Sequence, residues 1–411
     1  MICRTERKAL DPTPRLGLAA AVAAALVAAC GGGGGGGEAG TPTDPTGLLS
    51  VSITDAPACG YDHAWVTVEQ VRVHSSATAG ENDAGWHEIV LAAPLKIDLL
   101  ELTNGHRHEL GQTELPAGTY QQLRLVLASN ADADPLANAV QLSDTKEIVA
   151  LTTPSGQQSG LKMNADMTVP AGQTADFAID FDGCKSFVQA GHSGKIMLKP
   201  VLAVIPILND AGQRIVGFVD PALAGAGAIV SAQFDGVPVR ATPPDATGKF
   251  TLAPVVPGTY DVVVTAPGRA NAVMTGVPVA LESETLIGSA AARIVPPASP
   301  ARFAAFGTIK VNGSFANTEG YARALQSFTG GPTIEAGYAG ADATNGEYRI
   351  TLPNGAPVKA AYAPNLTTIT WTADVARAGF YTIEGNAPAF APRLSDVDVR
   401  DADDEASFVF P

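Results

Sequence analysis

Six histidines are the first residues whose chemistry needs an explanation. His63, His74, His87, His106, His108 and His192 all fall within the first 192 residues. His106 and His108 are two apart, so on a strand both rings point to one face. With a carboxylate such as Glu109 or Asp62 they supply the donor types of a zinc or copper site. The spacing selects weakly, because there is no His-Glu-x-x-His run and no cysteine pair at finger spacing. Exposed loop histidines are the simpler expectation, with no metal and no cofactor. Ser193, in Gly191-His192-Ser193-Gly194, begins a nucleophile-elbow pattern that Lys195 breaks where glycine is required. Ser155 and Ser159 read as turn residues at the entry to a strand. No carboxylate pair stands out for glycoside hydrolysis. Asp396, Asp398, Asp401, Asp403, Asp404 and Glu405 crowd the C-terminus with oxygen donors of the kind calcium takes. Asp396 and Asp398 alternate with Val397 and Val399, however, which is the pattern of a solvated strand face. Trp65, Trp86, Trp371, Tyr338 and Tyr381 are available for stacking on sugars, with core packing the default for each. No constellation here predicts an enzyme.

Cys30 carries the clearest chemical signal. Arg4, Arg7, Lys8 and Arg15 precede an apolar stretch from Leu16 to Ala29. That stretch is shorter than the roughly 20 residues a membrane-spanning helix needs, so residues 1–29 read as a signal peptide. Val27-Ala28-Ala29-Cys30 resembles a bacterial lipobox, in which the thiol becomes a thioether to diacylglycerol and cleavage frees the cysteine amine for acylation. Each buried methylene contributes roughly 0.8 kcal/mol, so two or more chains anchor stably. The expected partner of Cys30 is therefore a membrane. Gly31 to Gly37 lacks the Gly-Lys-Ser/Thr of a phosphate loop. With Glu38 to Thr46 it reads as a flexible tether of about 15 residues, giving residues 30–46 as lipidated cysteine plus linker. Gly31, rather than Asp, after the cysteine favours the outer membrane in lipoproteins of this kind. With Cys3 lost in the signal and Cys30 acylated, Cys59 and Cys184 remain. In an export compartment they are expected to pair, worth about 4–5 kcal/mol in the chain-entropy model; two free buried thiols are the alternative.

The elements that must position these residues are short strands. The chain has 26 basic and 41 acidic residues, a net charge of −15. Without residues 1–29 the balance is 22 to 39, a net −17. Nucleic acid is thereby excluded as a partner, since it requires basic patches. Charged residues are 16% of the chain, below the usual share of about 25%, while 43 glycines and 30 prolines punctuate runs rich in Thr and Val. This is the profile of an all-β chain of tandem sandwiches. Strands are expected at Leu48 to Ile53, Ala64 to His74, Leu123 to Leu127, Thr174 to Phe181 and Lys195 to Val204. Ile97 to Leu102 is expected to be helical or irregular.

Within residues 47–207 several runs occur together: Thr54-Asp55-Ala56-Pro57, Val71-Arg72-Val73-His74, Asp98-Leu99-Leu100, Leu115-Pro116-Ala117-Gly118-Thr119-Tyr120 and Arg124-Leu125, then Pro154 to Lys162, Phe181-Asp182-Gly183-Cys184-Lys185-Ser186 and Leu198-Lys199-Pro200-Val201. In this order they resemble domain of unknown function 4382, found in bacterial lipoproteins and secreted proteins. The resemblance implies an exported β-rich domain and no established chemistry. Cys184 stands where that family more usually has a small residue, so the disulfide belongs to a subset at most.

Residues 212–295 hold Asp245-Ala246-Thr247-Gly248-Lys249-Phe250 followed by Val256-Pro257-Gly258-Thr259-Tyr260. They resemble the carboxypeptidase regulatory-like, prealbumin-like sandwich. Residues 302–411 repeat the signature with one inserted residue, Asp342-Ala343-Thr344-Asn345-Gly346-Glu347-Tyr348, and read as a second such module. Pro296-Pro297-Ala298-Ser299-Pro300 is the linker between them. The functional expectation is a non-catalytic, lipid-anchored envelope protein, a binding or adhesion array for a glycan or an envelope protein. The alternatives are a structural or assembly role without a small ligand, and a metal-binding protein or enzyme built on the first-domain histidines.

Overall fold

Tyr61–His74 shows how the sequence builds the first module. Val66 and Val68 face the core, and so do Val71 and Val73, although the two pairs are out of phase for a simple alternation. A bulge between Val68 and Gln70 absorbs the odd residue against both neighbouring strands, so all four valines end on one face. Asp98 then stops its strand: its carboxylate accepts from the Leu100 and Ala64 N–H groups, capping the short 3-10 turn Leu99–Leu102. The computed structural model describes residues 45–56, 60–131, 133–153, 159–191, 193–315 and 319–411. The signal segment, Cys30, the tether up to residue 44 and Cys59 lie outside them, as do Ser155 and His192; Thr46, expected to end the tether, instead opens the strand Thr46–Ala56.

The described chain is all-β, in tandem sheets, as the sequence predicts. In the first module a four-stranded sheet, in the order Leu202–Ile207, Thr174–Asp182, Thr46–Ala56 and His108–Pro116, faces an eight-stranded sheet that contains Tyr61–His74. Leu49, Val51, Ile53 and Ile179 from one sheet meet Val66, Leu123, Leu125 and Met163 from the other. The strand expected at Lys195 to Val204 is two strands, Ile196–Leu198 and Leu202–Ile207. Pro200 has no N–H for a ladder, and the chain leaves one sheet for the other there.

The second core lies between a three-stranded and a six-stranded sheet, the third between two four-stranded sheets. The repeated Asp…Gly signature closes a similar carboxylate-capped turn in both, one residue longer in the third module. Asp245 Oδ1 accepts from Thr247 and Lys249, and Gly248 N–H returns to the Asp245 carbonyl. Asp342 Oδ1 accepts from Thr344 and Asn345, and Gly346 N–H returns to the Asp342 carbonyl. Gly248 and Gly346 have φ of 84° and 70°, and a Cβ on either would sit 2.2 or 2.4 Å from the carbonyl oxygen of Val219 or Ile309. Only glycine fits. The Pro-x-Gly-Thr-Tyr and Pro-Gly-Thr-Tyr runs also share a geometry: the hydroxyls of Tyr120 and Tyr260 donate to the carbonyls four residues back, Pro116 and Val256.

The three cores are joined by buried polar contacts within one compact unit, Asp44–Pro411. Late in the sequence, Val358–Ala361 pairs parallel with Ala272–Val279 and Thr372–Ala373 pairs antiparallel with Val358–Ala361, completing the second module's six-stranded sheet. The proline-rich segment is tied down as well, with Ala270 N–H on the Pro297 carbonyl and Ser299 N–H on that of Gly268. Gln233 and Glu335 exchange two hydrogen bonds between side-chain amide and backbone, 2.8 and 2.9 Å. Arg240, on Val237–Thr242, is fully buried. Its guanidinium bonds Asp180 and donates to Thr54 Oγ1 at 2.8 Å, both in the first module's four-stranded sheet. Thr54 in turn donates to the carbonyls of Leu102 and His106.

Removing one partner of a buried ion pair leaves the other charge uncompensated, a cost of about 3–5 kcal/mol. Arg240→Ala should therefore lower stability to urea by about that much, and Arg240→Met with Asp180→Leu should recover most of it. A single-variant loss below about 1 kcal/mol would show that the pair does not hold the junction.

Candidate binding cleft

Three of the runs that carry the first-module resemblance converge in space. Asp182 caps the short helix Gly183–Ser186 by accepting from Lys185 N–H at 3.2 Å. Ser186, fully buried, then holds the Leu198-to-Val201 run twice: its carbonyl accepts from Lys199 N–H and its hydroxyl from Val201 N–H, both at 2.8 Å. Arg124 donates to the Ser159 carbonyl at 2.8 Å, fixing the entry to Leu161–Val169. Ser159, Leu161, Lys162, Lys185, Met197 and Lys199 form one wall of a cleft of about 990 Å³. The opposite wall comes from the third module, through Glu319, Tyr321, Arg323, Glu335, Tyr338 and Glu384, and Val237 of the second module closes one side.

The charges of this cleft divide into two sets. Lys185 bonds Glu335 at 3.0 Å and lies over the Tyr338 ring at 5.2 Å. Arg323 bonds Glu335 and Glu384 and donates to the Gly236 carbonyl. Burial pulls the Arg323 guanidinium down, but the two carboxylates hold it above its ordinary range. Burial raises Asp182 although Lys185 opposes it, and burial raises Tyr338, which stacks on Tyr321 at 5.3 Å. That set is neutralised internally. Lys199 is different. It is half-buried, and its ammonium donates no hydrogen bond among the described residues. Burial lowers its pKa, with Glu319 and Asp342 opposing at longer range. A cleft with apolar side chains and an unneutralised ammonium on one wall and a tyrosine pair on the other can hold an organic ligand.

The residues singled out in the sequence fall elsewhere. His63 bonds Asp98 and stacks on Trp65. His74 is buried, with Nε2 donating to the Ala84 carbonyl and Nδ1 accepting from Ser76. His87 meets Tyr120 edge-on. His106 and His108 are exposed, and only His108 is on a strand. Among the described residues no three metal-ligating side chains group together. Ser193 donates to the Ala190 carbonyl in a bend, a turn role. In the acidic run, Asp398 pairs with Arg400, Asp403 with Arg349 and the Ala304 N–H, and Asp404 accepts from Asp398 N–H. Trp86 is gripped between Arg72 and Arg124, 4.7 and 4.8 Å from its ring. Tyr381 is buried and donates to Pro353, and Trp371 packs on the second core. Cys184 is half-buried on the capped helix. Of the aromatics named, only Tyr338 lines the cleft. A lone Lys in a strand-edge run carries no spacing signal, so the sequence does not mark these lysines as site residues; the family resemblance marks their runs without giving them a role.

Residues 46–200 match the model of a family described as a domain of unknown function (DUF4382), which bears out the resemblance for that stretch. No curated protein matches the chain. Among solved structures, a streptococcal ancillary pilin is similar at 10% identity and TM-score 0.17, over 89% of this chain and 99% of that one. The Bacillus anthracis TIE protein is similar at 12% identity and TM-score 0.17, over 89% of this chain. A type II cohesin–X–dockerin complex from Acetivibrio cellulolyticus is similar at 19% identity and TM-score 0.19, over 26% of this chain. The matches span 50% of the TIE protein and 66% of the cohesin-complex chain.

A lysine whose folded pKa is depressed contributes stability only above its unfolded value, and that contribution is lost as pH falls through the folded value. At neutral pH the Lys199 charge is thus a net cost. Lys199→Met should raise the melting temperature at pH 7, and the gain should shrink toward alkaline pH. A fall at pH 7 would contradict the assignment of Lys199 as a residue kept at the expense of stability.

Proposed function

We propose that this chain is a non-catalytic binding protein of the bacterial cell envelope, anchored by lipid on Cys30 and using the cleft between its first and third modules to hold a glycan or an envelope protein. The observation that carries the reading is the convergence of three first-module runs on one cleft with an unneutralised lysine. Export and lipidation are supported by the basic segment, the short apolar stretch and Val27-Ala28-Ala29-Cys30. Gly31 after the cysteine supports the outer membrane as the destination. No helix among the described residues is long and apolar enough to cross a bilayer. The second and third modules are read as carboxypeptidase regulatory-like sandwiches, supported by their shared Asp…Gly turn and, in the second, by the Tyr260 contact. Pairing of Cys59 with Cys184 is supported by the bonded state of the Cys184 sulfur. A structural or assembly role is the second reading, favoured by the buried junctions that fuse the modules.

Radiolabelled palmitate should enter the wild-type protein and not Cys30→Ser, which should also leave the membrane fraction; equal labelling of the two would refute the anchor. A photo-crosslinker at position 162 in intact cells should trap a defined partner or glycan, whereas one at the exposed Val90, which does not line the cleft, should not. Identical patterns from both positions would count against the cleft. Non-reducing peptide mapping should recover Cys59 joined to Cys184.

A further inference from the structure

The cleft's charge arrangement narrows what it can hold. On a chain of net charge −15, one wall presents three lysines. Lys185 is already bound to Glu335. Lys162 and Lys199 make no ion pair or hydrogen bond through their ammonium groups among the described residues. Lys162 is exposed at the rim and Lys199 half-buried within. Lys199 is not a floppy surface residue whose charge lies here by default. Its backbone is pinned to Ser186, and the next residue, Pro200, restricts it further. A half-buried ammonium without a partner is costly where it stands, and an incoming anion removes that cost. Glu319 is the one carboxylate on the opposite wall with no described ion pair, so the unpaired charges of the lining are two cations against one anion, with Asp342, outside the lining, also acting on Lys199. The remainder of the lining is not that of a bare anion site. Leu161, Met197 and Val201 supply apolar surface beside the stacked Tyr321 and Tyr338, which suits the C–H face of a sugar ring.

We propose that the cleft binds a carboxylate-bearing oligosaccharide, with Lys199 and Lys162 receiving the carboxylate and the tyrosine pair and apolar floor lying along the ring. This rests on the binding reading above and specifies its ligand class. The acid group gives the specificity: a neutral sugar of the same size leaves the Lys199 ammonium desolvated and unpaired.

The test is calorimetric titration of the folded, mature chain with hexagalacturonate, and in parallel with cellohexaose as a neutral probe of equal length. Hexagalacturonate should bind at least about ten-fold more tightly than cellohexaose, and more weakly as salt is raised. Lys199→Gln should cut that affinity by about ten-fold or more without lowering the melting temperature, while Lys199→Arg, which keeps the charge, should retain most of it. Equal binding of the two saccharides, or an unchanged affinity in Lys199→Gln, would overturn the carboxylate assignment and leave the cleft as a glycan site. Failure of both saccharides to bind would overturn the proposal outright, and the crosslinking at position 162 would then decide separately whether the cleft holds an envelope protein.

Discussion

The fully buried Arg240 guanidinium is the constraint around which the molecule is arranged. A charge removed from water to this degree must be matched by geometry, and the match is supplied by another module: Asp180 and Thr54 of the first sandwich. Thr54 is committed further, to the carbonyls of Leu102 and His106 at the end of the 3-10 turn. Through this chain of contacts the second module's edge strand fixes the orientation of the first module's four-stranded sheet. The same logic recurs at the other junctions, with Gln233 on the Glu335 backbone, and Asn271 on Gln326 and Tyr381. Apolar contact also contributes there, in the small cluster of Val263, Val273, Phe328 and Ile334. The modules consequently act as a frame, and the cleft is a product of that frame: neither of its walls would be a site alone.

Glu335 links the frame to the cleft. Its backbone is bound by Gln233 of the second module, and its carboxylate by Lys185 of the first and Arg323 of the third. One buried acid therefore joins all three modules at the edge of the site. Any ligand that displaced Lys185 or Arg323 from it would loosen the frame, which is why the internally neutralised set reads as structure and the unpaired lysines as the binding surface.

Much of the architecture was legible in the sequence because it depends on local rules. The strand over Ala64 to His74 and the Asp…Gly turns of 245 and 342 follow β-propensity and positive-φ requirements that need no tertiary information, whereas the bulge that brings Val66, Val68, Val71 and Val73 to one face does not show in the sequence. Pro200 marked a break that a reading by apolar content alone ran through. What the sequence hid is long-range. In Val237-Pro238-Val239-Arg240-Ala241-Thr242 the valines face solvent and Arg240 faces inward, the reverse of an ordinary amphipathic strand, because this strand's inner face meets another module's carboxylate. Lys199 was equally silent: its significance comes from Ser186 and from a wall contributed by residues more than a hundred positions later. The histidines are the opposite case: they draw attention by type, while the fold gives His63, His74 and His87 separate hydrogen-bonding and packing roles and leaves His106 and His108 exposed.

The central claim is that the modules form one cooperative frame from which the cleft follows. Differential scanning calorimetry of the mature chain tests this most directly. A fused frame predicts that the first and second modules melt together in a single transition, with calorimetric and van't Hoff enthalpies in agreement. Resolved transitions at separate temperatures, each accounting for one module, would contradict it.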